Sequence, residues 1–346
     1  MDVTGPPARR DVVVVGASAG GVEALAELVA GLPADFAGRM LVVLHVPPNS
    51  TSALPQILSR VGSLPARHAR SGDVLEPGHI LVAPPGQHLV VYDEAVSLSQ
   101  GPTENGHRPS VDVLFRTAAT SLGGRVIGVM LSGALDDGAA GMLAVKLRGG
   151  LAIVQDPAEA LHPSMPMAAM AAVDVDEVLP VKGIADRLSE LVGEEAPAAP
   201  PVSELMLLEA GVANLEPQAI GSTELAAEPS GWSCPDCNGT LFEINEGGLT
   251  RFRCRVGHAW SSAGLVAQQS ASMESALWVA LRTLEEKASL TENLGRKAHL
   301  RGHSLSATQF SQESDEARRA AALLRDFISG LGMMQESPPA PAADGG

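Results

Sequence analysis

Residues 11–21 read DVVVVGASAGG, four consecutive valines that run into small residues around one serine. A short Val-rich run with no polar face marks a strand buried on both sides. Val22–Val29 follows with Leu25, Leu28 and Val29 at helical spacing. The alternation then returns along the chain. Met40–Val46 (MLVVLHV), Val126–Leu131 (VIGVML) and Leu151–Gln155 read as further buried strands, and Ser110–Leu122 and Gly138–Leu147 as helices. His79–Ala83 and His88–Tyr92, split by PPGQ, read as a hairpin. The expected fold is α/β, a doubly wound, mostly parallel sheet with an edge hairpin.

In an open parallel sheet, function collects beyond the carboxyl ends of the strands. The first run exits into Gly16-Ala17-Ser18-Ala19-Gly20-Gly21, the second into His45-Val46-Pro47-Pro48, the third into Ser132-Gly133-Ala134-Leu135-Asp136-Asp137-Gly138. A nucleophile, a base and a carboxylate thus stand at three strand exits, the inventory of a Ser-His-Asp triad. Gly16–Gly20 also fits G-x-S-x-G between strand and helix, a turn that bares the serine oxygen before a helix N-terminus. The order Ser…His…Asp is not that of the α/β-hydrolases. The residues alone leave other readings open. GASAGG also suits a phosphate-cradling turn, and His68, His79, His88, His107 and His162 compete with His45. Asp136 or Asp137 also suits a cap for the helix that starts near Gly138.

Gly16–Gly21, His45-Val46-Pro47-Pro48, Gly106-His107-Arg108-Pro109-Ser110-Val111-Asp112, Leu131-Ser132-Gly133 with Asp137-Gly138-Ala139, Gln155-Asp156-Pro157 and Ser164-Met165-Pro166 together resemble the CheB-type protein-glutamate methylesterases of bacterial chemotaxis. The resemblance spans about residues 10–185. It implies a serine nucleophile at Ser18, a histidine at His45 and an aspartate at Asp137. It also implies an oxyanion hole of backbone N–H groups near Ala19 and Ala134, and no cofactor for catalysis. The implied activity is hydrolysis of glutamate γ-methyl esters on a methylated chemoreceptor or other methylated signalling protein, with glutamine deamidation in some members. Arg108 is a candidate to hold a carboxylate-rich substrate face. Where the family reads Gly-Met-Gly, this chain has Gly133-Ala134-Leu135, which keeps a backbone donor. The first strand begins near Asp11, so the expected form lacks the family's N-terminal receiver domain, and its site is open without phosphorylation. A rival reading keeps the fold without catalysis, as an interaction or sensory module that binds a partner through the C-terminal region.

That region holds all three cysteines. Cys234-Pro-Asp-Cys237 and Cys254-Arg-Val-Gly-His258 form C-x2-C and C-x3-H pairs suited to a tetrahedral Cys3His zinc site of structural type. Leu241–Ile244 and Thr250–Arg253 read as a hairpin between the pairs, as in a zinc ribbon. Beyond it, Met273, Leu277, Leu281, Leu284 and Ala288 form one apolar stripe, and Ala320, Leu323, Leu324, Phe327, Ile328 and Leu331 a second. Two amphipathic helices follow, packed on each other or on the cysteine segment, with dimerisation as the alternative use of the stripes. The expected organisation is a methylesterase-like domain over 10–190, a Pro/Ala-rich linker over 191–229, a zinc-ribbon-like module over 230–262, helices over 263–332 and a disordered tail over 333–346.

Composition bounds the rest. The chain has 346 residues and a formal net charge of −16, a field that repels phosphate backbones and argues against nucleic acid. Aromatics are 3%, so Ala, Val and Leu must fill the core. The start, MDVTGPPARR, lacks an apolar signal region, and no apolar run reaches the roughly 18 residues of a membrane span. Three cysteines build no disulfide framework. The expected setting is cytoplasmic, with no membrane insertion.

Overall fold

The computed structural model of the chain describes residues 8–220, 222 and 227–335, with side chains as far as residue 330. In chain order come β1 (Val12–Ala17), α1 (Gly21–Gly31), β2 (Arg39–Leu44), α2 (Leu54–Val61), β3 (Ala66–His68), β4 (Ile80–Val82), β5 (His88–Tyr92), β6 (Ala95–Ser99), α3 (Val111–Leu122), β7 (Val126–Met130), α4 (Ala139–Leu147), β8 (Leu151–Gln155), α5 (Ser164–Ala172), β9 (Glu177–Leu179) and α6 (Val181–Leu191). Seven strands form one parallel sheet in the order β3-β4-β2-β1-β7-β8-β9. The four valines of β1 serve two cores because successive side chains point to opposite faces. Val12 and Val14 join a layer with Leu114 and Phe115 of α3 and Met142 of α4. Val13 and Val15 join one with Leu25 and Leu28 of α1 and Ile184 and Leu188 of α6. The expected doubly wound architecture is what the chain adopts.

The hairpin uses different strands from those expected. β4 is an interior strand, parallel to β2 and β3, while β5 pairs antiparallel with β6. Pro84 and Pro85 have no N–H with which to close a tight turn, so the chain leaves the sheet after β4. The hairpin then packs on α3, with Val91 N–H donating to Thr117 Oγ1 at 3.2 Å and Asp93 N–H to Ser121 Oγ at 2.9 Å.

Further on come α7 (Glu204–Ala213), β10 (Glu228–Ser233), β11 (Thr240–Glu246), β12 (Leu249–Cys254), β13 (Ala259–Ser261), α8 (Ser262–Leu300) and α9 (Ser304–Gln335). The stretch 191–229, expected as a linker, therefore contains a helix. Ser203 caps it by accepting from Met206 N–H at 3.1 Å, and Met206, Val212 and Ala213 are buried. Pro/Ala-rich composition covers only the run before it. The strands β10-β11-β12-β13 form an antiparallel sheet whose central hairpin is the one read from the sequence.

This second sheet docks through charge on α7 and the loop that leads into α3. Glu104, Arg116 of α3, Glu209 of α7 and Arg251 and Arg253 of β12 are all buried. Arg253 contacts Glu104 at 2.9 Å and Glu209 at 2.8 Å, Arg251 contacts Glu209 at 2.8 Å, and Arg116 contacts Glu104 at 2.5 Å. Desolvating five ionised groups is unfavourable, and only close mutual pairing offsets it.

The chain divides into two compact units between Val266 and Ala267. In the second, α8 and α9 bury Leu281, Ala321 and Ile328, with Leu277, Leu284 and Leu324 beside them. The helices pack on each other, but the second stripe differs from the expected one. Ile328 is buried as expected, but Leu323 and Phe327 are exposed, Ala317 and Ala321 are buried in their place, and the side chain of Leu331 lies outside the described residues. A helix with a single partner buries a narrow 3-4 seam rather than a broad face. The helix α9 continues to Gln335, past the start of the expected tail, and the tail's remainder, 336–346, lies outside the described residues. No helix among the described residues is long and apolar enough to cross a membrane.

Candidate active site and cysteine cluster

Ala17 and Leu44 are register partners on the adjacent parallel strands β1 and β2. The next residues, Ser18 and His45, therefore leave the sheet side by side, and His45 N–H donates to Ala17 O at 3.1 Å. On the other flank, Ser18 N–H donates to Ser132 O at 3.0 Å, which draws the loop after β7 against the serine. The approach is close enough to require glycine. A Cβ on Gly133 would meet Ser18 Cβ at 3.0 Å and Met165 Sδ at 1.9 Å. Gly20, at φ +72°, lies against the Ser132 hydroxyl in the same way. That hydroxyl donates to Ala19 O at 2.8 Å and accepts from His162 N–H at 2.9 Å, fastening two loops together.

His45 Nε2 lies 2.7 Å from Asp137 Oδ2, with both side chains buried. Its Nδ1 is buried without a partner among the described residues. Asp137 is heavily supported. Its Oδ2 also accepts from Val111 N–H at 2.7 Å, and its Oδ1 from Ser110 Oγ at 2.8 Å and Asn105 Nδ2 at 3.2 Å. Burial alone would raise its pKa. The hydrogen bond and charge of His45, the His107 ring and the Val111 N–H outweigh that and hold it well below the usual carboxylate range. Asp112, equally buried, goes the other way. Burial, with the charges of Asp137 and Glu104, pushes it well above that range. The two neighbouring carboxylates are thus pushed in opposite directions.

Of the competing histidines, His107 reaches the site. Its ring stacks on His45 with centroids 3.7 Å apart and planes 11° apart. Burial, then the charge of His45, pushes its pKa down to about 4. His88 is pushed down to about 4 by burial. It donates from Nε2 to Pro102 O at 3.0 Å and accepts at Nδ1 from Ser110 N–H at 3.2 Å, which fixes the residue that supports Asp137. Asn105, His107 and Ser110 were not assigned roles from sequence. The signal was a polar run, ENGHRPS, between two otherwise apolar elements.

Asp136 does not contact His45. It accepts from Ser261 Oγ at 2.7 Å. Arg108 spends its Nη1 on Gln100 O at 3.0 Å and Gly101 O at 2.8 Å, a structural use rather than an open one. Ala134 and Leu135 are exposed at the mouth of the site. Leu135 sits at φ 61°, in the left-handed region that favours glycine.

A profile of the CheB methylesterase family matches residues 13–188, half of the chain. The chain belongs to the CheB methylesterase family. It is 40% identical over 186 residues to the protein-glutamate methylesterase/protein-glutamine glutaminase of Symbiobacterium thermophilum, covering 54% of this chain and 51% of that one. It is 43% identical over 184 residues to protein-glutamate methylesterase/protein-glutamine glutaminase 2 of Anaeromyxobacter dehalogenans, covering 53% of this chain and 54% of that one. The chain thus spans about half the length of the curated relatives it matches. The crystal structure of the Thermotoga maritima CheB methylesterase catalytic domain is similar with a TM-score of 0.51 at 32% identity, over 54% of this chain and all of that one. Ser18, His45 and Asp137 all fall inside the CheB-matching region, and the cysteines fall outside it.

In this CheB-family chain, Cys234, Cys237, Cys254 and His258 place their four ligand atoms within 4.8 Å of one another. Cys237 and Cys254 sulfurs are 3.6 Å apart, and His258 Nδ1 lies 3.8 Å from Cys234 Sγ and 3.5 Å from Cys254 Sγ. Tetrahedral zinc with ordinary bond lengths needs about 3.8 Å between sulfurs and about 3.6 Å between sulfur and nitrogen. The donor set and its spacing fit that ion. Both ligand pairs sit on tight backbone knuckles, with Asn238 N–H donating to Cys234 O at 2.8 Å and Gly257 N–H to Cys254 O at 2.9 Å.

Proposed function

We propose that this chain is a protein-glutamate methylesterase that also acts on the corresponding glutamine amide. Ser18 is the nucleophile, His45 the base and Asp137 its orienter. The observation that carries this is the 2.7 Å contact of His45 Nε2 with Asp137, which leaves Nδ1 without a partner among the described residues, on a residue that exits β2 where Ser18 exits the adjacent β1. An ionised, fully hydrogen-bonded aspartate favours the imidazolium that forms when Nδ1 accepts a proton.

In this reading His45 Nδ1 takes the Ser18 Oγ proton as Oγ bonds to the ester carbonyl carbon. The N–H groups of Ala19 and Ala134 receive the resulting oxyanion. The tetrahedral centre collapses, the C–O bond to methanol breaks, and His45 returns the proton to the departing oxygen. Water then repeats the sequence on the acyl-serine and releases a free glutamate carboxylate. For the amide, ammonia leaves in place of methanol. The substrate is a methylated chemoreceptor or similar signalling protein, met in the cytoplasm. The Cys3His cluster holds one structural zinc ion, which takes no part in these steps.

Methanol release from a methylated receptor tests the reading. Wild type should release methanol, and Ser18→Ala should lose on the order of 10⁴–10⁶ of the rate. Activity of Ser18→Ala within about tenfold of wild type would sink the assignment and favour a non-catalytic module.

A further inference from the structure

The triad aspartate and the Cys3His cluster are joined by a single residue. Asn105 donates from Nδ2 to Asp137 Oδ1 and to Asp112 Oδ2, both at 3.2 Å. Its Oδ1 accepts from Ser261 N–H in β13 at 2.7 Å. The opposite amide orientation would set the NH2 group against an N–H donor and the carbonyl against a carboxylate, so the partners decide it. The backbone at Asn105 has φ 52°, which Asn tolerates better than most residues. An acceptor on one side, a donor on the other and a left-handed backbone are together a narrow specification.

The segment around Asn105 is held from the cysteine cluster at three successive positions. The Thr103 hydroxyl donates to Asp236, which adjoins Cys237. Glu104 pairs with Arg253, which adjoins Cys254, at 2.9 Å. Asn105 N–H donates to the carbonyl of Ala259, which adjoins His258, at 2.8 Å. Each grip is one residue away from a ligand of the cluster, so the geometry of the cluster sets the place of 103–105.

We propose that Asn105 is a positioning residue for Asp137, and that the metal-bound Cys3His sheet holds the catalytic triad in working order through it. The inference rests on the methylesterase and zinc readings above. A filled cluster fixes the two knuckles, the knuckles fix 103–105, and Asn105 holds Asp137 in line with His45. Emptying the cluster frees the segment, and the imidazole loses a fixed partner while the substrate surface around Ser18 is unchanged. The effect therefore falls on kcat and not on KM.

The test uses the full chain, metal-loaded and chelator-stripped, with metal content measured directly. Stripping wild type should lower kcat by about tenfold or more, the worth of one hydrogen bond to a charged group, with KM changed by less than about threefold. The NMR signal of the His45 ring N–H that faces Asp137, a readout that needs no turnover, should broaden or shift in the stripped form. Metal-loaded Asn105→Ala should show the same loss of kcat, and stripping it should add less than about twofold. Asn105→Asp keeps the size, the backbone preference and the Ser261 contact but replaces the donor with a charge. It should also lose kcat, and it serves if the alanine variant does not fold. Asn105→Asp with kcat within about twofold of wild type overturns the inference. So does an equal effect of stripping on wild type and Asn105→Ala. A chain that carries no metal or turns over no ester overturns the parent readings, and this one with them.

Discussion

Arg253 lies 2.9 Å from Glu104, although 149 positions separate them. The contact is buried and joins the cysteine-bearing sheet to the loop that leads into α3. It belongs to a cluster in which Glu209 pairs with both Arg251 and Arg253. The two sheets therefore share one compact unit and not merely one chain.

That pair should be expensive to break. Arg253→Ala leaves Glu104 and Glu209 short of a partner in a dry site, a loss of about 3–5 kcal/mol. Urea unfolding of the full chain at neutral pH measures it. A midpoint unchanged from wild type would mean that solvent reaches the cluster.

The three neighbouring aspartates should separate by rate. Asp137→Asn removes the ionised partner of His45 and should lower kcat by about 10³–10⁴. Asp112→Asn replaces a carboxyl that burial pushes toward its neutral form, so kcat should stay within about threefold of wild type. Asp136→Asn disturbs only the Ser261 contact and should fall near Asp112→Asn. Equal losses for Asp136→Asn and Asp137→Asn would reverse the assignment of roles.

Acid should weaken the first unit before the triad aspartate titrates. His88 and His107 are pushed from about 6.5 in the unfolded chain down to about 4 in the fold, by burial in both cases. Between these values the unfolded chain binds more protons, so stability rises with pH across that window. It should be full above about pH 6.5 and decline toward pH 4, with His88 alone contributing on the order of 3 kcal/mol. Urea midpoints at pH 7 and 4.5 measure the slope, and His88→Gln should flatten it. A wild-type midpoint that does not move would show that both rings protonate in place.

Metal analysis should find one zinc per chain purified without added metal, and Cys254→Ser should lower that figure sharply. Because the second sheet docks on the loop that leads into α3, chelation should also raise amide exchange at 103–105 and not only within 228–261. Exchange confined to the second sheet would fit the linker-tethered arrangement expected from composition, not the docked one.

What the sequence determined by itself was local and periodic. DVVVVG was enough for a strand buried on both faces, because a side-chain period of two gives each valine a core. Ser18, His45 and Asp137 were legible as candidates because each directly follows or closely trails such a strand. The Cys3His ligands were legible because metal coordination constrains spacing along the chain. The hairpin partner of β5, the helix inside the presumed linker and the seam of the last two helices were decided by which surfaces had a neighbour to bury against. Asn105 and the Glu104–Arg253 pair left no mark in the sequence beyond polarity, and His107 stood there only as one of several histidines that compete with His45. Their chemistry arises only when loops far apart in the chain meet in a site that excludes water, where a single amide or imidazole acquires partners that no spacing encodes.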